Sequence, residues 1–299
     1  MSDQAFTSAL PTDPFIWWRA LRRMVRLIDE KNLALISAGV AFYAILAVFP
    51  GLAATISLWG IVGDPAVALE QLKDFEGVIP VDVYRLLSGQ LTKLANADGL
   101  TLGWASGLSF VLALWPARAG VEALIRGLNA IYDTPNRGGI ARQLRSLLLT
   151  FGLIGVALIA LASIVILPFI LAFVPLGIWT SIGVEAVRWI VGVGVLCAGF
   201  GLIYRLGPNL GEAGPRLIVP GVVFATLGWI GASKGFTVYL QNFGTYNEVY
   251  GSIGAVIVML MWLFISAYLV LLGAALNAEL ARARRAKLAI PEPSATSTP

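Results

Sequence analysis

The sequence predicts an all-α protein that crosses a membrane several times, and three observations carry that expectation. Of 299 residues, 58% are hydrophobic and only 13% are charged, against roughly 45–50% and about 25% in a soluble globular domain. The 21 basic and 17 acidic residues are too few and too clustered to cover a water-facing surface of this size. Six apolar stretches, 33–62, 100–116, 146–174, 184–206, 217–240 and 251–276, reach or approach the ~20 residues a helix needs to cross the hydrocarbon.

The same composition excludes most enzyme classes. The chain has no histidine and one cysteine, Cys197. An intrachain disulfide is therefore impossible, and zinc sites or Ser-His-Asp and Cys-His devices lack their groups. Carboxylate chemistry would need paired acids at depth, but most acids lie in connections or termini. The expectation is a protein that is not an enzyme and holds no metal and no cofactor.

Residues 1–32 mix acids and bases instead of placing a basic tip before a short apolar block, so they read as a cytoplasmic segment, not a signal peptide. The first span, 33–62, would be ~45 Å long as a straight helix, well beyond a core of ~30 Å, so it must tilt, bend or break. Pro50-Gly51 is the obvious place. Proline removes a backbone donor and frees a carbonyl near mid-membrane. That break is either a packing kink or a gate.

The segment 64–98 reads as an outer helical pair. Asp64-Pro65 is a helix start, Gly77 a stop, and a second helix from Pro80 carries Val83, Leu87, Leu91 and Leu94 on one face. The second span, 100–116, is short and ends at Trp115-Pro116. After it, 117–132 is strongly amphipathic: Val121, Leu124, Ile125, Leu128, Ile131 and Tyr132 oppose Arg118, Glu122, Arg126 and Asn129. Glu122 and Arg126 stand in the favourable i,i+4 order. This helix either rests at the cytoplasmic interface or continues span two past Pro116 and turns its polar row into a cavity.

In the third to sixth spans, small residues recur at close-packing distances: Gly192-x-Gly194, Gly231-x-x-x-Gly235 and Ala274-x-x-x-Ala278. Lys234 is the ionisable residue well inside a span, at a helix-centre cost of about 2.5–3.5 kcal/mol. It either extends to the outer interface or pairs with Glu248 or an acidic group of the outer helical pair and faces a cavity. With Tyr239, Gln241, Asn242, Tyr246, Asn247, Glu248 and Tyr250 it forms the densest group of hydrogen-bonding side chains beside an apolar span. Interfacial aromatic belts produce such a composition, and so do transporter substrate sites. The basic tail from 281 ends in a Pro-, Ser- and Thr-rich stretch from Pro291 that reads as disordered.

Placing both termini in the cytoplasm leaves only Lys73, Arg85, Lys93, Arg188 and Lys234 on the outer side or outward half, with all other lysines and arginines inside. This asymmetry accounts for the formal charge of +4 without nucleic acid as a partner. Arg22-Arg23-Arg26 and Arg282-Arg284-Arg285-Lys287 are expected to meet anionic lipid headgroups.

Three stretches resemble the YihY/virulence factor BrkB family: Ala38-Gly39-Val40-Ala41-Phe42-Tyr43-Ala44-Ile45 running to Phe49-Pro50, Trp115 through Leu128-Asn129-Ala130-Ile131-Tyr132, and Tyr250-Gly251-Ser252-Ile253-Gly254-Ala255-Val256-Ile257 with Trp262 and Gly273-Ala274-Ala275-Leu276-Asn277-Ala278. The resemblance covers about residues 30–280 and implies a polytopic protein of the bacterial inner membrane with about six helices. Family members have been linked to serum resistance, proposed as transporters and labelled ribonucleases. Ala275 stands where relatives usually carry glutamate, so a proton-coupling role for that carboxylate does not carry over. The ribonuclease label fits poorly, because phosphodiester hydrolysis normally needs carboxylate clusters or histidine.

The favoured reading is a transporter or exporter of a small solute or lipid working by alternating access. Its path would use Arg118, Glu122, Arg126, Lys234, Tyr239, Gln241, Asn242, Tyr246, Glu248 and Tyr250, with Pro50, Gly51 and Pro116 as gate or kink. The alternative is a non-catalytic scaffold or partner subunit of an envelope complex, and homo-oligomerisation is compatible with both.

Overall fold

The computed structural model describes residues 14–62, 88–89, 92, 99–135, 139–172, 178–210, 218–241 and 244–289. Among them it contains seven α-helices: α1 (Pro14–Glu30), α2 (Leu33–Val62), α3 (Gly99–Ile131), α4 (Gly139–Ala172), α5 (Ile178–Leu206), α6 (Val219–Gln241) and α7 (Gly244–Ala289). The protein is an all-α polytopic membrane protein. Three helical stretches, Gln143–Ala160, Trp189–Leu206 and Val256–Arg284, meet the length and hydropathy of a span among the described residues; the bent pair Phe15–Glu30 and Leu33–Val48 makes up to four. The expected outer helical pair at 64–98 and the tail beyond 289 lie outside the described residues, apart from isolated positions at 88, 89 and 92.

What distinguishes these helices from soluble ones is where their apolar side chains point. Only 17% of the Gln143–Ala160 stretch is buried within the protein. On α4, Leu144, Leu148, Phe151 and Leu158 face outward, while Ser146, Leu149 and Thr150 are buried. A water-facing helix would reverse this arrangement, because exposed leucine gains nothing from water and buried hydroxyls need acceptors. The two hydroxyls find theirs on their own helix, at the Gln143 and Ser146 carbonyls.

The chain divides into two compact units. The first comprises residues up to Ala38, Val121–Thr237 and Ile265 onward; the second comprises Gly39–Gly120 and Val238–Phe264. In the second, Gly120 of α3 lies against the Cβ of Tyr43, so a residue without a side chain lets α2 and α3 approach. Pro50 and Pro116 both lie inside continuous helices. Of the two readings of 117–132, the chain follows the continuous one: α3 runs past Trp115-Pro116 to Ile131, and the amphipathic stretch is not a separate helix. α3 runs through the proline, which is buried, and the lost hydrogen bond is tolerated where neighbouring groups can satisfy the freed carbonyl.

The first unit holds the core. α4 and α5 pack with Gly152 against Leu202 and Gly199 against Val156. α6 and α7 meet where Gly221 faces the Gly273 carbonyl and Asn277, and Tyr204 of α5 closes the contact by donating to the Val270 carbonyl at 2.8 Å. The pairs Gly192/Gly194 and Gly231/Gly235 do not serve as contacts of this kind, since a Cβ at any of them would meet nothing within 4 Å. Ala274 and Ala278 are buried as their spacing implies. α7 does not end at 276: it continues unbroken into the basic segment as far as Ala289, because residues 274 to 281 are buried and hold it in place.

The segment before the first span also folds. α1 buries Ile16, Ala20, Met24 and Leu27 and turns into α2 through Asn32, whose φ of 51° is a left-handed helix cap that asparagine tolerates.

Candidate functional site

One group of polar side chains in the first unit gathers at helix ends. Asn277, fully buried on α7, accepts from the Gly221 amide at 2.7 Å and donates to the Ile218 carbonyl at 3.1 Å. One side chain thus satisfies the Gly221 amide, a donor the start of a helix otherwise leaves without a partner, and adds a second bond to the Ile218 carbonyl, which also accepts from the Val222 amide. Arg145 of α4 does the same for the end of α5, donating to the carbonyls of Leu206 at 2.6 Å and Pro208 at 3.1 Å. Asn129 of α3, also buried, receives the Asn209 amide at 2.7 Å and the Thr134 hydroxyl at 3.2 Å, while Asn209 donates in turn to the Pro135 carbonyl at 3.1 Å.

Beside this lies a charged cluster. α3 ends at Ile131, and Asp133 beyond it has a φ of 53°. Its carboxylate meets Lys31 Nζ at 2.6 Å and Arg282 Nη2 at 2.7 Å. Arg282 also donates to the Ile131 carbonyl at 2.7 Å and to the Glu279 carboxylate, which is buried. The turn after α1, the end of α3 and the far end of α7 are thereby tied by two cations and two anions. The hydrogen bond from Lys31, the largest influence, holds the Asp133 carboxyl below its ordinary range. Its folded value is depressed, so the ion pair contributes above about pH 4 and is lost as the pH falls through the folded value. Because Asp133 is 59% exposed, the contribution is at most ~1 kcal/mol. Asp133→Asn is the suitable control, since asparagine accepts the same backbone conformation. The thermal midpoint of the detergent-solubilised wild type is expected to fall more steeply below pH 4 than that of this variant, and parallel curves would refute the assignment.

A second polar group lies inside the apolar helices. Cys197 Sγ of α5 is 3.4 Å from Thr226 Oγ1 of α6, and Trp229 of α6 donates its indole N–H to Ser266 Oγ of α7 at 3.1 Å. Ser233, on the same side of α6 one turn beyond Trp229, has a buried hydroxyl with no hydrogen-bond partner. Three helices thus present polar side chains to one another within segments of membrane composition.

Of the residues singled out from sequence, Glu122 and Arg126 are brought together, at 2.7 Å, with Glu122 nearly buried and Arg126 exposed. Arg118 is half-buried one turn earlier on α3 but belongs to the second unit. Lys234, Tyr239 and Gln241 are exposed on α6. Asn242 lies outside the described residues. Tyr246, Glu248 and Tyr250 fall in the first turns of α7, and their side chains lie outside the described residues. Gly51 is open, with no atom near its would-be Cβ.

Sequence reasoning missed Asn277, Glu279, Asp133 and Arg145, and it gave Arg282 to lipid headgroups, whereas that guanidinium is engaged by Glu279, the Ile131 carbonyl and Asp133. A signal existed for the first two, since polar residues amid the small apolar run 273–281 call for partners. Asn129 was visible as part of a polar row, yet it is buried and bonded to the chain after α5.

The family described as Virulence factor BrkB matches residues 24–297. The chain belongs to this family. Among curated BrkB relatives, a Bacillus subtilis protein named ribonuclease-like, YfkH, is 33% identical over 83% of this chain and 90% of its own length. UPF0761 membrane proteins of Ralstonia nicotianae and Methylibium petroleiphilum are 28% and 26% identical, each over 88% of this chain. The chain spans 59% and 62% of those two relatives. No solved structure matches. Among the described residues there is no group of three or more Cys, Asp or Glu placed to hold a metal ion.

Proposed function

We propose that this BrkB-family protein is a transporter or exporter of a small solute or lipid in the bacterial inner membrane, with both termini cytoplasmic and alternating access as its mechanism. The reading is carried by the polar row of α5, α6 and α7. Cys197, Thr226, Trp229, Ser233 and Ser266 stand where apolar side chains would serve packing equally well, and the Ser233 hydroxyl goes unused. Interhelical hydrogen bonds in membranes contribute only about 0.6 kcal/mol each on average, a weak reason to keep such residues for stability alone. The Lys31–Asp133–Arg282 ties suit a closure that opens, because partly exposed ion pairs exchange with water at little cost. Lys234 in the first unit and Arg118 in the second would each act on the solute. The proposal gives the chain no hydrolytic step.

The test is complementation of a deletion strain, read by metabolite and lipid profiling. Lys234→Ala and Arg118→Ala are each expected to abolish restoration of the wild-type profile while inserting at normal abundance. Full restoration by both variants would overturn the transport path and favour a non-catalytic scaffold in an envelope complex.

A further inference from the structure

The outward side of α1 combines two features that water alone does not accommodate. Phe15, Trp18 and Val25 are exposed, Trp18 at 62% of its surface. Beside them stand Arg19, Arg22, Arg23 and Arg26, all exposed. The opposite side, Ile16, Ala20, Met24 and Leu27, is buried in the protein, so the helix cannot roll its aromatic side inward. Arg19 stacks over the Phe15 ring at 4.7 Å, an arrangement that keeps a cation and an apolar ring in one place. Asp29 and Glu30, also exposed, follow only at the C-terminal end, and Lys31 beyond them is engaged by Asp133. The first three turns therefore present positive charge without an acid among them.

We propose that this side of α1 is a docking surface for anionic phospholipid, with Trp18, Val25 and Phe15 seated at the level of the headgroups and the four arginines on lipid phosphates. A helix rich in arginine on one edge and aromatic on the next is satisfied at that depth and nowhere else: the rings leave water and the guanidinium groups remain beside charged oxygen. A second copy of the chain is a poorer occupant, because a symmetric contact would bring two sets of arginines face to face. The inference stands independently of transport.

The test uses the full chain reconstituted in vesicles of phosphatidylcholine, with or without an equal share of phosphatidylglycerol. Cys197→Ser removes the native cysteine, and Val25→Cys carries a nitroxide whose collisions with oxygen and with a water-soluble nickel chelate report depth. In anionic vesicles the label is expected to favour oxygen over the chelate severalfold more than in neutral ones, because the arginines draw the helix toward anionic headgroups. Combining Arg19→Gln, Arg22→Gln, Arg23→Gln and Arg26→Gln should erase the difference between the two vesicles. Equal chelate access in both lipids with arginines intact would overturn the proposal. So would dipolar broadening between labels, which would show a second copy on this face.

Discussion

Gly221→Ala is expected to destabilise the protein by about 3 kcal/mol. A methyl group there would overlap the Gly273 carbonyl and the Asn277 side-chain amide. Neither can simply move aside: the first is helix backbone, and the second holds the buried Gly221 amide and the part-buried Ile218 carbonyl at the start of α6. Overpacking a tight contact costs about 1–3 kcal/mol, and a displaced Asn277 would leave the buried Gly221 amide unmet at about 1–3 kcal/mol more. Gly231→Ala is the matched control on the same helix, where a Cβ meets nothing. It should leave the protein as stable or slightly stabilised, since alanine favours helix over glycine by about 1 kcal/mol. The thermal midpoints of both variants in detergent decide the matter. Equal midpoints would mean that the Gly221–Gly273 contact does not hold α6 against α7.

Arg282→Ala is expected to cost about 2–3 kcal/mol, and Glu279→Gln should recover part of that loss. Arg282 serves Glu279, the Ile131 carbonyl and Asp133 at once. Its removal would strand the Glu279 carboxylate, whose side chain is only 5% exposed. Breaking a buried pair costs about 3–5 kcal/mol; the lower figure reflects an Arg282 side chain that is one-third exposed. Glutamine keeps the shape of Glu279 and abolishes the stranded charge. A double-mutant cycle on the thermal midpoint should therefore show coupling between positions 279 and 282. Additive losses would show that Arg282 acts through the Ile131 carbonyl and Asp133 alone.

Both variants probe contacts that the one-dimensional pattern scarcely hinted at. The helical class and membrane composition were legible because hydropathy is a local property summed along the chain. All six apolar stretches fall on helices, from α2 to α7. Helix ends were less legible. Pro116 left open whether the helix stops or continues, and α3 passes through it, because in a membrane helix neighbours decide whether a proline ends the segment. α1 lies in the segment read as cytoplasmic, where the helical spacing of Ile16, Ala20, Met24 and Leu27 stands among charged residues. The glycine motifs misled for a related reason. Gly231 and Gly235 carry the better-known spacing, but the contact is made by Gly221 and Gly273, whose significance depends on what lies opposite.

The candidate site divides in the same way. The Glu122–Arg126 pair follows from two residues four apart on a helix and needed only the sequence. The joining of Lys31, Asp133 and Arg282 did not, since these residues are 102 and 149 positions apart in the chain. By itself the sequence determined that the chain folds as apolar helices in a membrane and that its family is BrkB, because composition and motif are properties of neighbours in the chain. Only the tertiary structure decided which polar groups meet. Hydrogen bonds and ion pairs depend on a few ångströms between distant segments, and no periodicity along a single helix encodes that distance.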